Sequence, residues 1–79
     1  MYTVYVLQND SGKRFVGFTD DLQKRLKEHR SGAVTYQQFG DDWKLVYQED
    51  HVRRAKAMER EKWFKTSAGR EWLDQNLGS

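Results

Sequence analysis

The 79-residue chain has no cysteine and no proline. Without cysteine, no disulfide can staple so short a chain and no thiolate zinc site can form, so nothing points to an oxidising compartment. The longest apolar run is only a few residues, far short of the roughly 20 that a membrane-spanning helix needs. The N-terminal stretch Met1-Tyr2-Thr3-Val4-Tyr5-Val6-Leu7 reads as a strand and lacks the basic start of a signal peptide. A cytoplasmic or nucleoid location is therefore expected, without membrane contact. Charge of one sign is also scarce. Fourteen Lys and Arg against twelve Asp and Glu leave a net charge of +2, too little alone to argue for nucleic-acid binding. A chain this short buries roughly 60–65% of its unfolded surface. One domain over residues 1–79 is expected, with few core positions to spare.

What is present has a clear order. Residues 2 to 8 are rich in β-branched and aromatic types and predict a strand. Asn9-Asp10-Ser11-Gly12 predicts a turn, and residues 13 to 18 the return strand of a hairpin. Asp20 followed by Gln23 has the form of a capping box, opening a helix that runs to about Arg30 and stops at Gly32. Residues 33 to 42 have no clear period and read as a loop. Trp43 to Gln48 predicts a third strand, Glu49 to Val52 a connection, and Arg53 to Lys65 a second helix. Thr66 or Ser67 then caps a last helix with Trp72, Leu73 and Leu77 on its apolar side. The expected fold is α+β: a small three-stranded antiparallel sheet flanked by about three helices, in the order β-β-α-β-α-α.

Three polar side chains stand on stripes that should be apolar. Arg25 and His29 are one turn apart on the stripe of Leu22 and Leu26. Glu61 lies on the stripe of Ala57, Met58 and Phe64. Each has an ordinary reading. Glu61 is an exposed partner of Lys65 or Lys62, Arg25 lays its stem over Leu22, and His29 suits the negative end of its helix. Together they point to a site, because a cation, an imidazole and a carboxylate on core-facing stripes cost stability unless paired, solvated or used. Lys24, Lys27 and Arg30 decorate the first helix, and Arg53, Arg54, Lys56, Arg60, Lys62 and Lys65 the second. These are either solvated faces or a surface that tracks phosphates.

The motifs in this order resemble the GIY-YIG nuclease domain, in particular its small stand-alone members. Thr3-Val4-Tyr5 stands for the first motif, and Phe15-Val16-Gly17 for the second. The segment Asp21 to His29, with Arg25 and His29 four apart, is similar to the family's helix. Trp43 to Tyr47 resembles the third strand, and Ala57 to Lys62 the segment whose metal-binding glutamate maps to Glu61. The resemblance implies a phosphodiesterase that hydrolyses DNA with magnesium or manganese. It implies Tyr5, Arg25, His29 and Glu61 as catalytic residues, with Glu61 the metal ligand. Phe15, Gly17, Lys24 and Tyr36 are the residues expected to meet substrate. Magnesium needs only one or two carboxylates besides waters and phosphate, which a lone glutamate satisfies. An isolated domain whose contacts go to phosphates reads DNA shape rather than sequence, so branched or single-stranded DNA is the implied substrate.

Two departures matter. The family's second tyrosine is Phe15 here, so the ring remains and the hydroxyl is gone. If that hydroxyl served as base or phosphate donor, its loss costs on the order of 10²–10⁴ in rate; if Tyr5 is the working base, the effect is milder. Tyrosine ordinarily titrates near 10, so Tyr5 as a base needs a neighbour to lower its pKa or take its proton. The loop Ala33 to Asp42 carries Gln37, Gln38, Asp41 and Asp42, and acids near a substrate path repel phosphate. These features motivate an alternative, a weakened nuclease fold kept as a nucleic-acid-binding or protein-interaction module. Asn76 reads as a polar helix-end residue.

Overall fold

In the computed structural model, which describes residues 1–30 and 43–77, β1 (Tyr2–Gln8) and β2 (Arg14–Thr19) form an antiparallel hairpin. The turn is closed by Asn9, whose buried side-chain oxygen accepts the Lys13 N–H at 2.8 Å and the Ser11 hydroxyl at 3.1 Å. Gly12 takes a φ of 86°, a backbone region that a Cβ disfavours. β3 (Lys44–His51) pairs with the other side of β1, giving the strand order β2-β1-β3. The helices are α1 (Leu22–Arg30), α2 (Arg54–Phe64) and α3 (Ser67–Leu77). This is the expected α+β architecture in the expected order. The loop 33–42, with Tyr36 in it, lies outside the described residues, as does the side chain of His29.

Two local expectations need correction. The third strand does not stop at Gln48. It runs to His51, because Glu49, Asp50 and His51 pair with Val4, Thr3 and Tyr2 of β1. Low strand propensity at two acids is overridden by pairing and by side-chain bonds, including the Thr3 hydroxyl donating to Asp50 at 2.6 Å. The first helix is capped by Asp21 rather than Asp20: its carboxylate accepts the Lys24 N–H at 3.1 Å. At α3 the Thr66 hydroxyl accepts the Gly69 N–H at 3.2 Å, so of the two candidate caps it is Thr66 that acts.

The core lies on one face of the sheet. Val4 and Val6 of β1 and Val16 of β2 pack against Ala57 and Phe64 of α2 and Leu73 of α3. Strand alternation puts Tyr5 and Leu7 on the opposite face, where both are also buried. Tyr47, on the core face of β3, meets Phe64 edge-on at 5.7 Å and Trp72 at 5.3 Å between ring centroids. β3 carries an irregularity opposite Val6 and Leu7, which pair with Tyr47 and Leu45 and leave Val46 unmatched.

Beside this core, Glu49 ties α2 to the sheet. Its carboxylate accepts two bonds from the Arg60 guanidinium (2.8 and 3.0 Å), one from the Tyr47 hydroxyl (2.6 Å) and a contact with His51 Nε2 (2.6 Å). The same guanidinium lies 4.7 Å from the Trp63 ring centre and 4.6 Å from that of Phe64. Burial pushes the Glu49 carboxyl up, but the bonds from Arg60, Tyr47 and His51 outweigh it and hold it at about 2. A carboxylate depressed in the folded state contributes stability that is complete above its ordinary value of 4.5 and lost as pH falls toward 2. The contribution is on the order of 3 kcal/mol. Urea unfolding of the wild type is expected to weaken steeply from pH 4.5 to 2. Glu49→Gln should be less stable at pH 7 and show a flatter acid limb; an unchanged limb would remove Glu49 from this role.

Helices α2 and α3 meet at Gly69. A Cβ there would stand 2.1 Å from the Trp63 carbonyl oxygen and 2.5 Å from the Phe64 Cα, both backbone atoms that cannot swing aside. Gly69→Ala is expected to destabilise the fold by roughly 1–3 kcal/mol. On a domain of this size that lowers Tm by about 4–8 °C per kcal/mol. An unchanged melting curve would refute the close helix approach.

Candidate active site

The site is organised by a residue pair in the hairpin. Tyr5 stands in the middle of β1, and its register partner on the edge strand β2 is Gly17. Because Gly17 has no side chain, the phenol leans over it: a Cβ at Gly17 would stand 2.8 Å from the Tyr5 hydroxyl and 3.0 Å from its ring carbon. Phe15, two residues earlier on the same strand face, packs its ring 6.2 Å from that of Tyr5. Gly17 thus leaves the room that the Tyr5 phenol fills.

Charged groups from two helices act on this phenol. Burial is the largest influence and raises its pKa; the Arg25 guanidinium of α1 lowers it, and the Glu61 carboxylate of α2 and the Glu28 carboxylate of α1 raise it. The charges of Arg25 and Glu61, residues far from Tyr5 in the chain, thus both act on its phenol. Glu28 is an addition that the sequence motifs did not single out. The available signal was its spacing three residues beyond Arg25, and the two form an ion pair at 3.4 Å. Glu61 is partly buried, at 21% side-chain exposure, and its ion pair with Lys65 is loose at 3.7 Å. His29 lies in the last turn of α1, with its side chain outside the described set. Lys24 is exposed in the first turn of α1, and its charge is not among those acting on Tyr5. Asn76 donates to the Trp72 carbonyl at 2.8 Å, the helix-end role expected of it.

Among the described residues no three acidic or histidine side chains gather into a metal-binding cluster. The donors at hand are the carboxylate oxygens of Glu61 on α2 and Glu28 on α1, whose charges both act on the phenol. Such a set fits a hard cation that keeps most of its waters and shares phosphate oxygens.

Comparison with known proteins gives the family and the fold. The family model of the GIY-YIG catalytic domain matches residues 1–72. A UPF0213 protein of Streptococcus sanguinis is 38% identical over 63 residues, covering 78% of this chain and 72% of that relative. One of Bacillus pumilus is 40% identical over 63 residues, covering 78% of this chain and 64% of that relative. The solution NMR structure of a UPF0213 protein from Bacillus halodurans is similar with a TM-score of 0.59 at 28% identity, covering 95% of this chain and 84% of that one. The relatives' names state no activity.

The electrostatics can be checked without any substrate. In NMR of protein carrying labelled tyrosine, Tyr5 is expected to titrate above the usual value near 10. Glu61→Gln should bring that midpoint down, and Arg25→Gln should push it further up. A midpoint indifferent to both substitutions would show that the three groups do not share a site.

Proposed function

The chain belongs to the GIY-YIG catalytic-domain family, and from that premise we propose that it is a divalent-metal-dependent endonuclease that hydrolyses DNA phosphodiesters. The observation that carries this reading is the phenol of Tyr5 leaning over Gly17, with Arg25 and Glu61 both acting on it. A hydrolase of phosphodiesters needs a group to handle the proton of an attacking water and positive charge to meet the anionic phosphate.

Arg25 is 38% exposed at its side chain, so its guanidinium is open to a ligand while still acting on the phenol. It serves to hold a non-bridging phosphate oxygen and to oppose the charge that grows there in the transition state. Burial and two carboxylates keep Tyr5 protonated at neutral pH. It is then a hydrogen-bond donor, and it accepts a proton from water only after its own has left. Glu61 is the residue to hold magnesium or manganese. When bound, such an ion supplies positive charge to the phosphate and makes water a better nucleophile. Occupying Glu61 with positive charge also cancels one of the influences that raise Tyr5, which makes the phenol easier to deprotonate. Phe15 keeps an aromatic wall beside Tyr5 but offers no hydroxyl. Because the contacts envisaged go to phosphate, branched or single-stranded DNA is the proposed substrate class.

Purified protein with Mg²⁺ or Mn²⁺ is expected to nick supercoiled plasmid and cut branched oligonucleotides slowly, and Glu61→Ala to lower the rate on the order of 10²–10³. Restoring the hydroxyl with Phe15→Tyr raises the rate sharply if that position supplies the base, and leaves it unchanged if Tyr5 does. DNA binding with no metal-dependent cleavage of any DNA form would replace this reading by the binding-module alternative, which Phe15 favours.

A further inference from the structure

Between β2 and the α2–α3 junction, at the core-side edge of the sheet, lies a cleft of about 230 Å³. Its deep wall is apolar, made by Phe64 and Leu73, each 1% exposed, with Phe15 at its side. Val16 and three cations, Arg14, Lys65 and Arg70, complete the lining. No carboxylate lines it among the described residues. Arg14 is fixed in place, its Nη1 donating to Asp74 at 2.6 Å and its Nε to Gln8 at 2.9 Å. Arg70 is exposed and makes no ion pair among the described residues. Lys65 and Arg70 flank the start of α3, whose first turn holds no acidic residue to offset the positive end of the helix.

The chemistry of this lining is that of a nucleotide site. Clustered cations suit a phosphate, and an apolar wall with an aromatic ring suits a sugar or base. The volume is below the roughly 300–1,000 Å³ of sites for drug-sized molecules, so it takes one nucleotide unit and not a larger ligand. The cleft also adjoins the reacting centre through two shared residues. Phe15 lines it while packing on Tyr5, and Lys65 lines it while pairing with Glu61.

We propose that this cleft seats the nucleotide flanking the scissile linkage of a DNA strand, with its phosphate among Arg14, Lys65 and Arg70 and its sugar or base against Phe15. The inference rests on the nuclease reading and adds to it a place for the neighbouring unit of the strand. Arg70→Glu, an exposed change with no described ion pair to break, is the direct test. It is expected to raise KM for single-stranded DNA on the order of tenfold, with a smaller effect on kcat, and to lower the slope of log affinity against log salt by about 1. Lys56→Glu makes the same charge change outside the cleft and is expected to do far less. A wild type that cuts DNA while these two variants behave alike would overturn the cleft and leave the nuclease reading standing.

A second measurement is independent of cleavage. In metal-free protein, a 5′-phosphorylated dinucleotide is expected to shift the backbone amide resonances of Phe15 and of residues 65–70, more strongly than inorganic phosphate does. Equal shifts from phosphate alone, or shifts confined to other residues, would also overturn the proposal.

Discussion

The roll of helix α2 about its own axis is the constraint on which the rest depends. Successive residues of a helix point about 100° apart, so fixing one side chain fixes its neighbours. Arg60 is held by Glu49 of β3 through two bonds, and Ala57 and Phe64 are sunk into the core on either side of it. With those three set, the next residue along, Glu61, is placed to act on Tyr5 from α2. Turning the helix by one residue would break the guanidinium fork, lift Phe64 out of its aromatic contacts and carry Glu61 away from the phenol. The close approach at Gly69 works on the same helix from its other end, since the atoms a Cβ would strike belong to Trp63 and Phe64.

The sheet divides the labour between its faces. On one, Val4, Val6 and Val16 build the core and Tyr47, Glu49 and His51 build a network that anchors α2. On the other, Tyr5, Phe15 and Gly17 form the ground of the candidate site. The strand period of two makes this possible within only three strands, because neighbouring residues such as Val4 and Tyr5 serve opposite faces. The phenol that leans across Gly17 of the edge strand is itself buried, with the charges of Arg25 on α1 and Glu61 on α2 acting on it.

Much of this was legible in the sequence, and the misses have physical causes. The hairpin, three helices and element order follow from alternation, turn residues and caps, which are local signals. Arg25 and Glu61 were singled out because polar groups on apolar stripes break a pattern, and Tyr5 because the motif order matched a family. The charges of the first two act on the phenol of the third; what the three do is the proposal. Glu49 was missed because an acid-rich stretch, Glu49-Asp50, has poor strand propensity, and only pairing with β1 and the partners Arg60 and Thr3 make it strand. Alternation of Tyr47, Glu49 and His51 was a signal that was there to be read. Gly69 had no signal, since a helix-to-helix contact distance is not written in any local pattern. Glu28 hid among the charges that usually decorate a helix.

The ion pairs of this protein differ in kind according to where they stand. Around Glu49, four side-chain contacts between 2.6 and 3.0 Å surround a carboxylate whose side chain is only 16% exposed. Such a group is costly to disturb, because removing a partner leaves a desolvated charge behind. At the candidate site the pairs are looser and wetter: Arg25 to Glu28 at 3.4 Å and Lys65 to Glu61 at 3.7 Å, with Arg25 and Lys65 more than a third exposed. Pairs of that kind contribute little to stability, typically under about 1 kcal/mol. Arg25 can therefore turn from Glu28 to a phosphate, and Glu61 can exchange Lys65 for another cation, with little loss to the fold. The tight network holds the helix; the loose pairs leave its charged groups available. A chain with few core positions can carry chemistry only if those two tasks fall to different residues, and here they fall to Arg60 and Glu61, side by side on one helix.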